Sequence, residues 1–439
     1  MKPLISPQGY CDPATFASER ESIFLRHWLF AGTTQQLANH EDFRRIEIAG
    51  ISVILQNFHG AIKAFNNVCT HRFARLQSEA AGNRELKCPY HGWRFNEEGL
   101  PYAIPHKPLI AEITPQTLCQ YRLSRWHVRT IGPLIFIKKA RANETLVADD
   151  LERQLDRFAV PLAEFAAACG ELVENTDYTV KANWKLVVEN TLEGYHVDCV
   201  HPNTLRKLGM GGLAKSTGSG GGLAPEEDDP ANRRGSCFSF AANNSSVASP
   251  LNPGVAARMD RTYRFLANRP RKIDGYRHYY FFPAFVIAST RGESFSIQRI
   301  LPIDAQTTQL TSFLFATNGL GELSKMDAAL GRQFYQSAAE FVQAIFTEDA
   351  AICEEVQRAV AFAEGPGVLS DEEERICAFH RAWSDALHAR SAAVPHGRCD
   401  GATPREISES ERQARRLLHL SQAGRARHGA ELIPSTINP

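Results

Sequence analysis

The stretch NWKLVVENTLEGYHVDCVHPN, residues 183–203, puts two histidines and a carboxylate within about three helical turns. His196 and His201 are the imidazoles. Glu193 precedes His196 by three residues, so on a continuous helix the two side chains would share a face. The step from His196 to His201 turns an ideal helix by about 140°, so both rings reach one ion only where the helix distorts or ends. Pro202 favours an ending there. Neutral imidazoles with one carboxylate leave coordination positions vacant, and that donor set suits iron(II) that meets dioxygen.

The surrounding chain sets the bounds. Its 439 residues allow two or three domains, and a 43% hydrophobic content can supply real cores. The 49 basic and 49 acidic residues cancel, so no global field recruits nucleic acid or a membrane surface, and a small-molecule substrate is expected. The start, MKPLISPQGYCDPATF, lacks a basic segment followed by an apolar core, and no apolar run reaches membrane-spanning length; both predict a cytoplasmic protein. Ten scattered cysteines read as thiols or metal ligands rather than a disulfide framework. Cys11, Cys119, Cys169, Cys199, Cys237, Cys353, Cys377 and Cys399 have no ligand-like neighbours and read as buried structural thiols.

Upstream, residues 14–31 hold Phe16, Ile23, Phe24, Leu25, Trp28 and Leu29 at helix-like spacing, which predicts an N-terminal helix. From 43 to 68, RRIEIAG, ISVILQN and AIKAFNN predict strands of a small antiparallel domain, with Gly50 and Gly60 at turns. CTH at 69–71 and CPYHGW at 88–93 interrupt it. Each of these two loops offers one thiolate and one imidazole, Cys69 with His71 and Cys88 with His91. Such a set can hold a tetrahedral zinc or a [2Fe-2S] cluster. The pairing favours the cluster, because in Rieske centres two histidines replace two cysteines on one iron, whereas a common zinc finger groups its cysteines apart from its histidines. The neutral imidazoles leave the reduced cluster less negative and raise its potential by on the order of hundreds of millivolts.

The Cys69/His71 and Cys88/His91 pairs are followed by Asn183-Trp184-Lys185, Glu189-Asn190, Tyr195-His196 and His201-Pro202. In that order they resemble the catalytic (alpha) subunits of Rieske non-haem iron oxygenases, the aromatic-ring-hydroxylating dioxygenase family. The resemblance runs over nearly the whole chain, from HWLFAG at 27–32 to AFHRAW at 378–383. It implies an α+β fold, with an N-terminal Rieske [2Fe-2S] antiparallel β domain followed by a helix-grip (START/Bet v1-like) catalytic domain built on an antiparallel sheet. It implies a [2Fe-2S] cluster, a mononuclear Fe(II), electrons from NAD(P)H through a separate reductase or ferredoxin, and a homotrimer with or without a small β subunit. By the same resemblance Asp349, in the helical FTEDAAICEEVQRA, is the third iron ligand beside His196 and His201. Spacing alone does not separate it from Glu348, Glu354 and Glu355, and Glu348 is the rival. The resemblance also implies that His91 bonds Glu193 of the adjacent chain, which in turn bonds His196. Asn190 is a further candidate hydrogen-bonding group near the iron.

The expected divisions are an N-terminal helical arm over 1–40, a Rieske domain over 41–150 and a catalytic domain over 151–439. GPLIFIKK at 132–139 reads as the last strand of the Rieske domain, ADDLERQLDRF as an acidic helical linker, and ELVENTDYTVKANW at 171–184 as a strand feeding the iron-binding helix. The glycine-rich 207–236 lacks the preceding strand a dinucleotide fold requires, so it predicts a flexible loop, well placed to cover the substrate mouth. Strand-like runs from 262 to 318 and a long helix over 324–361 predict a curved antiparallel sheet with a helix packed into it. ESERQARRLLHL predicts an amphipathic helix, and 425–439 a disordered tail.

Together these readings give the terminal oxygenase of a multicomponent system that uses O₂ to hydroxylate a small organic molecule. An aromatic or heteroaromatic substrate leads, as the commonest in the family. Glu193 favours an alternative, a monooxygenase or N-demethylase of quaternary ammonium compounds such as carnitine or betaines. Most of the family carries Asp at that position, and Glu recurs in relatives that oxidise such substrates. A cation would want an aromatic box, for which Tyr279, Tyr280, Phe281, Phe282 and Phe285 are candidates, although an aromatic stripe in a strand is more often core. A Rieske electron-transfer protein is the alternative of another class; it explains residues 69–91 and leaves residues 183–203 and Asp349 without purpose.

Overall fold

The computed structural model describes residues 5–110, 112–141, 147–206, 237–249, 275–318 and 325–388, with single positions between 251 and 260. The loop expected at 207–236, the strand expected near 262, the ESERQARRLLHL helix and the 425–439 tail lie outside the described residues.

Asp12 accepts hydrogen bonds from the backbone of Ala14 and Thr15, and Pro13 fills the first helical position, so helix α1 runs over Pro13–Glu19. A π turn follows at Arg20–Phe24, and the chain then extends into strand β1, Leu29–Thr33. The single helix expected over 14–31 is thus a helix, a π turn and a strand. Strand β1 is buried at every position, so it lacks the period-two alternation that would have announced it.

Strands β2 (Asp42–Ile48), β3 (Ile51–Phe58), β4 (Ala61–Asn66) and β5 (Ala81–Asn83) follow, then the small β6–β7 pair (Arg94–Phe95 and Pro101–Ala103) and β8 (Arg125–Ile131) and β9 (Leu134–Lys139). Two hairpins depend on glycine. Ala49 and Gly50 (φ 48° and 81°) join β2 to β3, and His59 and Gly60 (φ 51° and 92°) join β3 to β4. Two-residue turns with both φ positive match the twist of the flanking strands, and glycine enters that region without a steric cost. The first sheet has the order β1-β9-β8-β4-β3-β2-β5. It therefore reaches back across the boundary expected at residue 41. Phe43, Ile54, Phe65, Leu76, Leu86, Trp93 and Phe95 form a small core under the two Cys/His loops.

Helices α2 (Asp150–Leu155) and α3 (Ala159–Ala168) lead into the long strand β10 (Cys169–Val180) and helix α4 (Trp184–Leu192). One turn of helix, α5 (Val197–Val200), precedes strands β11 (Cys237–Ala241), β12 (Asn244–Ser249), β13 (Tyr276–Phe281), β14 (Phe285–Thr290), β15 (Ser294–Asp304) and β16 (Thr307–Thr317). Helices α6 (Lys325–Val360) and α7 (Glu374–His388) complete the described chain. The second sheet is antiparallel throughout, ordered β10-β16-β15-β14-β13-β12-β11. Its two faces have different partners. Phe281, Phe285, Ile287, Phe295 and Phe313 pack against Leu162 and Phe165 of α3 and Phe30 of β1. Tyr280, Val286, Ile300 and Leu310 lie in the core that takes in Trp184 and Val188 of α4, Phe346 of α6 and Phe379 of α7. The long helix gripped against a curved antiparallel sheet is the α+β arrangement expected.

The entry into α4 is held by a buried ion pair. Lys185 Nζ lies 2.6 Å from Glu19 Oε1, both side chains 0% exposed, and Trp184 and Trp383 each donate an indole N–H to Glu19. Burial lowers the Lys185 pKa and Glu19 opposes the shift. A pair this deep leaves an uncompensated charge if either partner is removed, so α1, α4 and α7 are locked together at one point. No helix among the described residues is long and apolar enough to cross a membrane.

Candidate metal centres

The two Cys/His loops close in the same way. The N–H of Phe73 reaches the carbonyl of Cys69 at 3.0 Å, and the N–H of Gly92 reaches that of Cys88 at 3.0 Å. Each turn ends on a residue with positive φ, Phe73 at 60° and Gly92 at 72°. The backbone thereby presents Cys69 with His71 and Cys88 with His91 as matched pairs. Both thiols are buried, and burial, followed by the neighbouring Cys88, pushes the Cys69 pKa up to about 11. The imidazoles of His71 and His91 sit with ring centroids 4.6 Å apart, and His71 stacks on buried Trp93 at 4.9 Å. The Nδ1 atoms of both rings are buried without a hydrogen-bond partner. Burial, then the proximity of His91 and Arg72, lowers the His71 pKa and keeps that ring neutral.

Two adjacent imidazoles with orphaned nitrogens and two buried thiols that interact with each other fit a metal group, since a cation would draw those thiols into their ionised form. The four do not form a set small enough for one ion. Among the described residues, the one group of three or more His, Cys, Asp or Glu donors within 4.8 Å of one another lies elsewhere. A binuclear cluster fits this spacing better than a tetrahedral zinc.

That other group is His196, His201 and Asp349. Asn183 caps α4 by accepting from the N–H of Lys185, and the helix ends at Leu192, before either histidine. Glu193 is extended (φ −130°, ψ 166°), and His196 caps the single turn α5, after which His201 stands outside the helix. The helix end expected between the histidines is that of α5, before His201 and Pro202, and a second break, at Leu192, precedes both. Glu193 reaches His196 not along a helix face but by folding back: its carboxylate accepts from His196 Nδ1 and from the backbone N–H groups of Tyr195 and His196.

Helix α6 supplies the carboxylates opposite. Asp349 Oδ1 lies 3.0 Å from His201 Nε2 and 3.5 Å from His196 Nε2, and accepts a hydrogen bond from Asn190 Nδ2 at 2.7 Å. Its neighbour Glu348, about 100° around the helix, takes a different part. Glu348 Oε2 accepts from His201 Nδ1 at 2.7 Å and from Thr204 Oγ1 at 2.6 Å. Both histidines therefore turn Nε2 towards Asp349, and each has Nδ1 held by a carboxylate of its own. Burial works against charge on His196, but Asp349 and Glu193 outweigh it and raise its pKa to about 9. His201 is likewise raised by Asp349 and Glu348 against the effect of burial, and Asp349 is lowered by the two histidines although burial opposes this. A divalent cation at that point would replace the protons the Nε2 atoms share with Asp349, and two imidazoles with one carboxylate suit iron(II).

Comparison with known proteins sorts the same two regions. Residues 27–114 match the Rieske [2Fe-2S] domain, and residues 169–389, half of the chain, match the ring hydroxylating alpha subunit (catalytic domain). The chain belongs to the ring-hydroxylating alpha-subunit family. It is 32% identical over 202 residues to the glycine betaine monooxygenase oxygenase subunit of Pseudomonas aeruginosa, a match covering 45% of each chain. It is 29% identical to the carnitine monooxygenase oxygenase subunit of Escherichia coli, over 45% of this chain and 52% of that one. The match thus spans about half the length of these relatives. Among solved structures, the quaternary ammonium Rieske monooxygenase CntA with L-carnitine superimposes with a TM-score of 0.64 at 19% identity, covering 88% of this chain and 95% of that one. Naphthalene 1,2-dioxygenase with indole does so with a TM-score of 0.63 at 22% identity, covering 87% and 91%.

As a ring-hydroxylating alpha subunit the chain has a Rieske [2Fe-2S] domain and an iron-binding catalytic domain. The structure brings His196, His201, Asp349, Glu193 and Asn190 together in one cluster, and His71 beside His91 in the other region. The five aromatic residues considered for a cation box are divided between the two cores of the second sheet. Tyr279, Phe281 and Phe285 pack with Phe158 and Phe165 on one face of the second sheet, while Tyr280 and Phe282 are buried on the other against Phe379. Successive side chains alternate along β13, which sends Tyr280 to the opposite face from Tyr279 and Phe281, so the five do not share one face of the sheet. Of the cysteines expected to be buried, Cys353 and Cys377 are, whereas Cys119 and Cys199 are exposed. His27 donates through Nδ1 to the Ile23 carbonyl and packs edge-on against Phe282. Sequence reasoning missed Thr204, and also His380, which together with Tyr10 bonds Glu189 of α4. Only the AFHRAW stretch carried a signal for the latter.

Proposed function

We propose that the chain is the terminal oxygenase of a multicomponent Rieske system acting on a quaternary ammonium compound. In this reading His196, His201 and Asp349 hold ferrous ion, and Cys69, His71, Cys88 and His91 hold the cluster. When bound, the cluster would supply electrons one at a time and the ferrous ion would supply open positions for dioxygen. The observation that carries the reading is the convergence of two histidines and one carboxylate on a single point, each histidine braced behind by its own carboxylate. Bracing of this kind fixes the tautomer with Nε2 free for a metal and holds the proton at Nδ1. Asn190 holds Asp349 from the other side.

The substrate class rests on the betaine and carnitine relatives and on Glu at position 193. These favour the alternative drawn from the sequence over its aromatic lead. An aromatic substrate remains the second reading, favoured by 28% identity over 212 residues to the anthranilate 1,2-dioxygenase large subunit of Acinetobacter baylyi. Hydroxylation of a carbon bonded to a quaternary nitrogen makes a carbinol that loses its hydroxyl proton and collapses with cleavage of the C–N bond, releasing an aldehyde and the tertiary amine. The assembly we propose is a homotrimer in the cytoplasm in which His91 of one copy meets Glu193 of the next, served by a reductase or ferredoxin. The test is a panel of glycine betaine, carnitine and choline against anthranilate and naphthalene, with a reductase and NADH. Aldehyde formed in step with NADH loss on the cations supports the reading, and coupled turnover on the aromatic compounds alone overturns it.

A further inference from the structure

Helix α7 carries a cation into the protein interior. Arg375 is 2% exposed, and no carboxylate pairs with it among the described residues. Its guanidinium instead spreads over three elements. Nε donates to Ser245 Oγ of β12 at 3.1 Å, Nη1 to the Leu192 carbonyl at 3.3 Å and Nη2 to His278 Nδ1 of β13 at 3.0 Å. Arginine has donors only, so His278 Nδ1 must accept, and the ring proton sits on Nε2. That nitrogen lies 3.3 Å from Thr191 Oγ1 and donates to it. Burial, reinforced by Arg375, holds His278 neutral.

The missing counter-charge is the end of a helix. Leu192 is the last residue of α4, and its carbonyl is one of those a helix leaves unpaired at its negative pole. The last two residues of α4, Thr191 and Leu192, are held by the same guanidinium, Leu192 directly and Thr191 through His278. Asn190, immediately before them, reaches Asp349, and Glu193, immediately after, leaves the helix and folds back on His196.

We propose that Arg375 is a positioning residue for the metal centre: by clamping the last turn of α4 it fixes the helix break that aims Glu193 at His196 and Asn190 at Asp349. The inference rests on the proposed iron site, and the experiment separates the two. Arg375→Lys keeps a cation at the helix terminus but cannot fork over three acceptors, and Arg375→Met removes the charge. In the full chain with its cluster loaded, three quantities are compared: amide hydrogen exchange at Gly194–His196, anaerobic ferrous titration of the triad, and the thermal midpoint. Arg375→Lys should melt close to the parent, yet exchange at Gly194–His196 should quicken and ferrous ion should bind about tenfold more weakly. With a proposed substrate the loss should fall in kcat rather than KM. Parental exchange and affinity in Arg375→Lys would overturn the proposal, as would losses in both variants that only track the fall in melting temperature. A parent chain that takes up no ferrous ion would sink the iron site alone, and the exchange measurement would still judge Arg375.

Discussion

The two centres hold histidine in opposite ways. At the Cys/His loops the inward nitrogen is Nδ1, buried and unbonded, and the backbone fixes the ligands through matched turns at Cys69–Phe73 and Cys88–Gly92. At the triad the inward nitrogen is Nε2, and side chains fix the ligands through Glu193 and Glu348 behind them. The first centre is a local device that a few dozen residues can build. The second is assembled from α4, the segment after it and α6, and depends on long-range packing. One consequence is that changes to carboxylates should strike the triad and spare the cluster, while changes to turn geometry should do the reverse.

The sharpest way to break this division is to empty each centre separately. Asp349→Ala should lower iron from about three to about two per chain and leave acid-labile sulfide at about two, with the visible spectrum of the cluster unchanged. Cys88→Ser should remove the sulfide and the cluster spectrum while leaving a triad that still binds ferrous ion. If either variant empties both centres, they are not independent.

Next in size is Glu193→Gln. The amide still accepts from His196 Nδ1 but no longer carries the charge that favours a proton there. The cluster should remain reducible by dithionite, with product formation falling by roughly 10–100-fold. Unchanged turnover would remove Glu193 from the mechanism and return it to an ordinary loop carboxylate. Glu348→Gln should be milder. Thr204 keeps its acceptor, and the triad should lose about tenfold in ferrous affinity, read by anaerobic titration. A larger loss there than at Glu193 would mean that His201 is the more dependent ligand.

What the sequence revealed follows the same contrast. Cys69, His71, Cys88 and His91 stood out because all four donors sit within 23 consecutive residues, and short spacing in a loop constrains geometry. His196 and His201 stood out for the same reason, and so did the helix end before Pro202, although the earlier break at Leu192 did not. Asp349 needed a family resemblance. Glu348 and Asp349 are adjacent on one helix, and only the packing of α6 against α4 decides which of them meets both Nε2 atoms. Arg375 carried no signal, since a buried guanidinium paired with a helix terminus reads in sequence as any helical arginine. The aromatic run at 279–285 reads in sequence as more often core than box, and core is where it lies. Its division between two cores was not legible, because burial on both faces of a sheet removes the alternation that would have shown two destinations.

The smallest expected effect tests the backbone half of the contrast. Gly92 has φ 72°, where an L side chain costs about 1 kcal/mol. A Cβ there would meet Pro105 Cγ at 3.4 Å, an ordinary contact, so Gly92→Ala should destabilise by that backbone cost alone. The companion loop already pays it, for Phe73 holds φ 60° with its side chain 79% exposed. Phe73→Gly relieves the strain but frees the unfolded chain by a comparable amount, so it should be neutral within about 0.5 kcal/mol. Chemical unfolding of the cluster-loaded chain reads both. Because the turn sets where Cys88 and His91 point, Gly92→Ala should also alter the cluster spectrum while ferrous affinity at the triad stays at the parental value. A change at the triad would show that the backbone of the first centre is coupled to the carboxylates of the second.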